Sequence, residues 1–304
     1  MEFAGARPTR RAVLTVGAGA ALAGMTLSGT AFAAGSGREK IVRQLRILER
    51  EHSARLGVFA RNTATGQTVL YRADERFPMC SVFKTLAVAA VLRDLDQDGE
   101  YLAKRIHYTE QDVTDSGYGP VTGLPENLAH GMTVSQLCAA TICKSDNAAA
   151  NLLLRELGGP RAVTRFCRSV GDGTTRLDRW EPALNSAEPD RLTDTTSPRA
   201  IGETYQRLAL GDALAPRDRE LLMGWLLANT TSTERFRAGL PADWALADKT
   251  GGGKYGTNND AGITWPPQGA PIVMAVLTTK SQPDAAADNP LVARTAELLA
   301  GALA

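Results

Sequence analysis

Strand-like and helix-like patterns are segregated along this chain, and that limits the folds open to it more than any other feature. Arg55 to Arg61 and Gln67 to Arg72 are short, partly alternating runs separated by Asn62-Thr63-Ala64-Thr65-Gly66, the pattern of a β-hairpin. Far along the chain, Trp244 to Thr250, Ala261 to Trp265 and Pro271 to Thr279 read as three strands joined by Gly, Asn and Pro turns, an antiparallel meander. Between these ends the apolar residues recur at helical spacing. The expected class is therefore α/β (α+β), with one antiparallel five-stranded sheet flanked by helices and an all-helical domain beside it. The boundaries follow as 35–75 with 232–304 for the sheet domain and 76–231 for the helical one, with the active site between them.

Helix boundaries are marked by specific residues. Ile41, Leu45, Ile47 and Leu48 give an amphipathic helix from about Arg38 to His52, and Pro290 to Leu303 gives a closing one. Thr133-Val134-Ser135-Gln136 is a capping box that starts a helix through Cys143. The pattern breaks at Lys144-Ser145-Asp146-Asn147, resumes from Ala148 to Leu157, and resumes again from Pro160 to about Val170. Ser197-Pro198 opens a helix to about Leu210, and another runs from about Pro216 to Ala228. Asp94 to Glu110 is expected as loop with one short strand, and Asp115 to His130 as irregular surface. Arg179 to about Asp194 reads as a long compact loop, a kind that is usually functional.

Composition excludes several classes. With 34 Lys+Arg against 33 Asp+Glu, the net charge of +1 gives no global field for nucleic acid or a membrane surface, so any anion site must be local. Arg10-Arg11 precedes an apolar, Gly/Ala-rich run ending in Ala31-Phe32-Ala33, the form of a twin-arginine export signal over 1–34, removed to leave a secreted protein. Cys80, Cys138, Cys143 and Cys167 are expected as free thiols. His52, His107 and His130 have no ligand spacing, so neither a metal nor another cofactor is expected.

Chemistry concentrates at Phe77-Pro78-Met79-Cys80-Ser81-Val82-Phe83-Lys84-Thr85. Pro78 cannot sit inside a helix and the residues after Ser81 favour one, which predicts Ser81 in its first turn with Lys84 one turn on, within hydrogen-bonding reach. A serine hydroxyl is a poor nucleophile until a neighbour takes its proton, and helix N-terminal amides favour developing negative charge. S-x-x-K arises by chance roughly once in a chain of this length, so context decides. The context is Ser145-Asp146-Asn147 and then Lys249-Thr250-Gly251.

These three motifs in this order resemble the serine penicillin-recognising enzymes, and Glu181-Pro182-Ala183-Leu184-Asn185 resembles the E-x-x-L-N loop of class A β-lactamases. The resemblance implies a monomeric, cofactor-free enzyme that opens β-lactams through a serine acyl-enzyme. It makes Ser81 the nucleophile, its N–H and that of Gly252 the oxyanion hole, and Lys84 the group that keeps Ser81 reactive. Glu181, with Asn185, activates the deacylating water, and Ser145 relays a proton to the lactam nitrogen. Asn147, Lys249, Thr250 and Gly251 contact the substrate, Tyr118 is a lone aromatic on a loop nearby, and Arg179 with Asp194 closes the loop. The acylation base stays open between Lys84 and Glu181.

Two departures matter. Many class A enzymes carry an arginine where Asn258 stands, and Arg235 matches the position from which other members supply that guanidinium. Class A carbapenemases pair a cysteine at the position of Gly253 with one at Cys80, and its lack points away from efficient carbapenem hydrolysis. The rival functions are a D,D-peptidase, against which Glu181 and Asn185 speak, and a β-lactam sensor that stays acylated.

Overall fold

The computed structural model describes residues 27–304; the arginine pair and the apolar run before Leu27 lie outside them. Five strands form the central sheet: β1 (Arg55–Asn62), β2 (Thr68–Tyr71), β3 (Ala245–Gly252), β4 (Asn258–Trp265) and β5 (Ile272–Thr279). Their order is β2-β1-β5-β4-β3, with every neighbour antiparallel. The two ends of the chain meet at β1 and β5, where Arg55 lies opposite Thr279 and Asn62 opposite Ile272. Being central and covered on both faces, β5 is buried from Ile272 through Thr278, which accounts for its continuous apolar run.

The longer helices are α1 (Leu27–Glu51), α2 (Phe83–Asp94), α3 (Val134–Cys143), α4 (Asn147–Glu156), α5 (Arg161–Ser169), α6 (Pro198–Ala209), α7 (Pro216–Leu227) and α8 (Asn289–Leu303). Leu45 and Leu48 of α1 and Leu291 and Leu299 of α8 cover one face of the sheet, against Leu56, Val58, Met274 and Val276. On the other face Ala247, Ala261, Ala275 and Leu277 join a core built with α2 to α7. α1 starts at Leu27, inside the span assigned to the export signal; among its described side chains Leu45 and Leu48 are buried in the core and Ile41 and Val42 pack against it.

α2 is buried on every side from Phe83 through Leu92, as a helix that is apolar all round must be. Lys84 and Thr85 are buried with it, so each needs a partner. Thr85 Oγ1 takes a hydrogen bond from Tyr205 Oη at 2.7 Å; the partners of Lys84 define the site described below.

The capping signals act as read. Thr133 and Gln136 exchange side-chain and backbone hydrogen bonds at the start of α3, and Ser197 caps α6 with Pro198 in its first turn. The expectation of irregular surface from Asp115 to His130 is corrected: helices run over Glu110–Ser116 and Pro125–His130. Both are under two turns, too short for an apolar period to show; their signals are local, the Thr109–Asp112 capping box and Pro125 in the first turn. The short strand expected before Glu110 is Arg105–Ile106, paired with Met132–Thr133, but the loop expected around it also holds a helical turn, Glu100–Ala103.

All four cysteines are unpaired, with Cys80, Cys138 and Cys167 buried. Burial pushes the Cys80 thiol far above its ordinary range and keeps it protonated. His52 contacts Asp288 at 3.0 Å, and Asp288 caps α8, so this histidine is structural.

Candidate active site

Ser81 sits in a single 3-10 turn, Cys80–Val82, directly ahead of α2, not in the first α-turn the sequence predicts. Cys80 takes a left-handed φ of 47°, strain of the kind that surrounding structure must hold in place. β3 supplies part of that hold. A Cβ on Gly251 would stand 2.9 Å from the Met79 carbonyl oxygen and 3.2 Å from the Ser81 nitrogen, so a residue without one lets the strand approach. Asn259 on β4 donates to the carbonyls of Pro78 and Met79 at 2.8 and 3.2 Å, fixing the turn from beneath.

The Lys84 ammonium contacts Asn147 Oδ1 at 2.6 Å, the Ser145 carbonyl at 2.7 Å, Ser145 Oγ at 3.3 Å and Glu181 Oε1 at 3.3 Å. The expected proximity of Ser81 and Lys84 runs through Glu181: Ser81 Oγ donates to Glu181 Oε1 at 3.4 Å, and lysine and serine meet on the same carboxylate oxygen. Complete burial holds the Lys84 pKa below the usual lysine range, although Glu181 pulls it back up. A lysine that gives up its proton readily is suited to accept one from a nearby hydroxyl.

The loop that carries Glu181 is closed as the resemblance implies. Arg179 Nε bonds Asp194 Oδ2 at 2.5 Å, and Asp194 Oδ1 accepts the backbone N–H groups of Asp178 and Arg179 at 2.7 and 3.0 Å. Asn185 Nδ2 donates to Glu181 Oε2 at 2.5 Å. Asn151 was not singled out in the sequence, yet it clamps the Glu181 main chain from both sides, accepting from its N–H and donating to its carbonyl, each at 3.0 Å. The available signal was its place on α4, one turn after Asn147 on the same face. Asp146 holds the other wall by capping α4 at Ala149 N and accepting from Val121 N and Thr122 N.

Across the cleft, Lys249 Nζ donates to Ser145 Oγ at 3.1 Å and to the Thr250 carbonyl at 2.9 Å. Burial, with Lys84 nearby, lowers its pKa to about 7. Gly252 ends β3 exposed, and Thr250 Oγ1 shares a 2.5 Å hydrogen bond with Thr231 Oγ1. Arg235 donates through Nη1 to the carbonyls of Gly251 and Asn259 at 3.0 and 2.9 Å, while Nη2 stands 3.8 Å from where a Cβ of Gly252 would be. Beneath it lie the buried carboxyls of Asp248 and Asp260, both raised in pKa by burial. Tyr118 is 52% exposed, and its carbonyl accepts from Asn147 N at 2.8 Å. Gly253 faces Cys80: a Cβ there would lie 2.8 Å from Cys80 Sγ.

Ser81, Lys84, Ser145, Asn147, Glu181, Asn185 and Lys249 are thus joined in one hydrogen-bonded network drawn from α2, the α3–α4 corner, the closed loop and β3. A cavity of about 790 Å³ on the back of the loop, near Arg55, Ala187 and Lys280, contains none of these residues.

The model of a β-lactamase enzyme family matches residues 40–302. A β-lactamase of Streptomyces lavendulae is 78% identical over 304 residues, covering all of both chains. The carbapenem-hydrolysing β-lactamase KPC of Klebsiella oxytoca is 48% identical over 252 residues, 83% of this chain and 85% of that one. The solved β-lactamase from Streptomyces albus G is 67% identical and superposes with a TM-score of 0.87, covering 87% of this chain and 100% of that one. With its serine turn, its loop carboxylate and these relatives, the chain belongs to the β-lactamase enzyme family as a class A member.

Proposed function

We propose that the protein hydrolyses β-lactam antibiotics, penicillins foremost, in two acyl-transfer steps and so confers resistance. Ser81 Oγ attacks the lactam carbonyl, its proton leaving toward Lys84 or Glu181. The carbonyl oxygen becomes an oxyanion at the N–H groups of Ser81 and Gly252. The C–N bond breaks, and the nitrogen takes a proton through Ser145, which Lys84 and Lys249 both touch. Water held by Asn185 then attacks the Ser81 ester while Glu181 accepts its proton; the bond from the acyl carbon to Ser81 Oγ breaks, the proton returns to Oγ from Glu181, and the ring-opened acid leaves.

The observation that carries this reading is the position of Glu181. One of its oxygens meets both Ser81 and Lys84, the other meets Asn185, and its main chain is clamped by Asn151. A carboxylate so held beside the ester suits deacylation, the step that separates a hydrolase from a penicillin-trapping sensor. Intact mass followed after mixing with benzylpenicillin tests it: the free mass should return rapidly. An adduct that persists would mean a sensor or peptidase.

The substrate carboxylate would meet Lys249, Thr250 and Arg235. The expected result for Arg235→Ala is a KM for penicillins raised about tenfold with a smaller change in kcat, the cost of one charge-assisted contact; an unchanged KM would remove Arg235 from the site. Lys249 adds a pH dependence. Its lowered pKa means that the ammonium is lost as pH rises through about 7, so the free enzyme loses a positive partner for the anion. kcat/KM for penicillins should therefore decline above that pH, and a profile flat to about pH 9 would contradict the role.

Residues 1–34 carry a further reading: Arg10-Arg11 and Ala31-Phe32-Ala33 support export by the twin-arginine route and action outside the cytoplasm. Among the described residues, no helix is long and apolar enough to cross a membrane. The sheet with α1 and α8 would form one domain and residues 76–231 the other, each supplying one wall of the cleft.

A further inference from the structure

α5 presents two unlike faces. Ala162, Val163, Phe166 and Cys167 are buried, and Arg161, Arg165 and Arg168 project from the opposite side at i, i+4 and i+7. With Thr164, Arg176 and Asp178, these three arginines line a cleft of about 320 Å³ that shares no residue with the catalytic network.

The charges in and around this cleft do not cancel. Arg176 is paired with Asp178 at 2.6 Å, and Arg168 Nη1 donates to the carbonyl of Thr175 at 2.8 Å. Among the described residues, Arg161 and Arg165 form no ion pair. Arg76 stands close enough that Arg168 and Arg176, after burial, depress its pKa. The other nearby acids are buried and engaged elsewhere: Asp172 accepts from Thr174 N, Thr175 N and Thr204 Oγ1, and Asp194, which also acts on Arg176, is paired with Arg179. Five guanidinium groups therefore stand near three carboxylates, two of them turned to partners elsewhere, on a protein whose net charge is +1. Like charges one turn apart repel, so an ordinary solvated helix face gains nothing from this spacing.

We propose that the Arg161–Arg165–Arg168 face, with Arg176, is a binding site for a linear polyanion bearing repeated phosphate groups. Every cation in it is arginine, whose planar fork engages phosphate through two N–H groups at once, where lysine offers a point charge. Arg161 to Arg168 spans about 10 Å of helix, more than one tetrahedral anion covers, so successive phosphates along a chain fit better than a single ion. The site would hold the enzyme to an anionic polymer without using any residue of the β-lactam cleft.

The probe is linear inorganic polyphosphate, titrated against the full chain between about 50 and 200 mM salt. Binding should weaken steeply with salt. Arg161→Glu with Arg165→Glu should lose at least about tenfold in affinity and give a shallower salt slope, as expected when charge contacts are removed. Arg161→Gln with Arg165→Gln should lose less, in the same direction, and serves if the glutamate pair does not fold. Arg43→Glu with Arg46→Glu, exposed on α1, changes net charge equally elsewhere and should bind nearly as the parent does. Turnover of a chromogenic cephalosporin should be unchanged in all of them. No binding by the parent at the lowest salt, or equal losses from the α1 and α5 pairs, would overturn the proposal.

Discussion

Glu181→Ala should still acylate with penicillin but accumulate the acyl-enzyme, with turnover lowered by at least about a hundredfold, the scale of a lost general base. The carboxylate is buried and shared by Ser81, Lys84 and Asn185, so its removal also leaves the Lys84 ammonium without its counter-charge in a dry site. Glu181→Gln, which keeps shape and hydrogen bonding while removing basicity, separates the two effects: a stalled adduct in both variants assigns the loss to the base. Intact mass against time, beside the steady-state rate, reads both. Hydrolysis at the parent rate in either variant would remove Glu181 from the deacylation step.

Ser81→Ala should abolish the adduct altogether and lower kcat/KM by roughly 10⁴ or more, as for other nucleophiles that act as a unit with their base. The fold should survive, because Ser81 Oγ makes a single long hydrogen bond, 3.4 Å to Glu181, and the turn that carries it is held by Asn259 and β3. A melting temperature near that of the parent, together with a mass that never shifts on exposure to benzylpenicillin, is the expected pair of results. A residual adduct of the same mass would point to a different nucleophile.

These two residues were legible at once because short motifs name residue types and spacings. Thr133 with Gln136, and Ser197 with Pro198, were legible for a related reason: a helix start is a local arrangement of a few neighbouring atoms. The helices Glu110–Ser116 and Pro125–His130 escaped because they are too short to display a period. Asn151 escaped because its one signal, a place one turn after Asn147 on the same helix face, names no partner until the loop it clamps is laid beside it.

The Ser81–Lys84 pair shows where local reasoning stops. Spacing puts the two side chains on one face of a helix, and that much was available from Pro78 and the residues that follow. Which oxygen the ammonium meets depends on groups far along the chain: Ser145 and Asn147 at the α3–α4 corner, and Glu181 in a loop closed by Arg179 and Asp194. By itself, then, the chain determined the order of its main strands and longer helices, its candidate nucleophile and the family's motifs, since these are properties of neighbours in sequence. Tertiary structure alone decided the hydrogen-bond partners, the depressed lysine pKa values and the arginine cleft on α5. A buried charge takes its energy from whatever surrounds it in space, and no spacing along the chain encodes that.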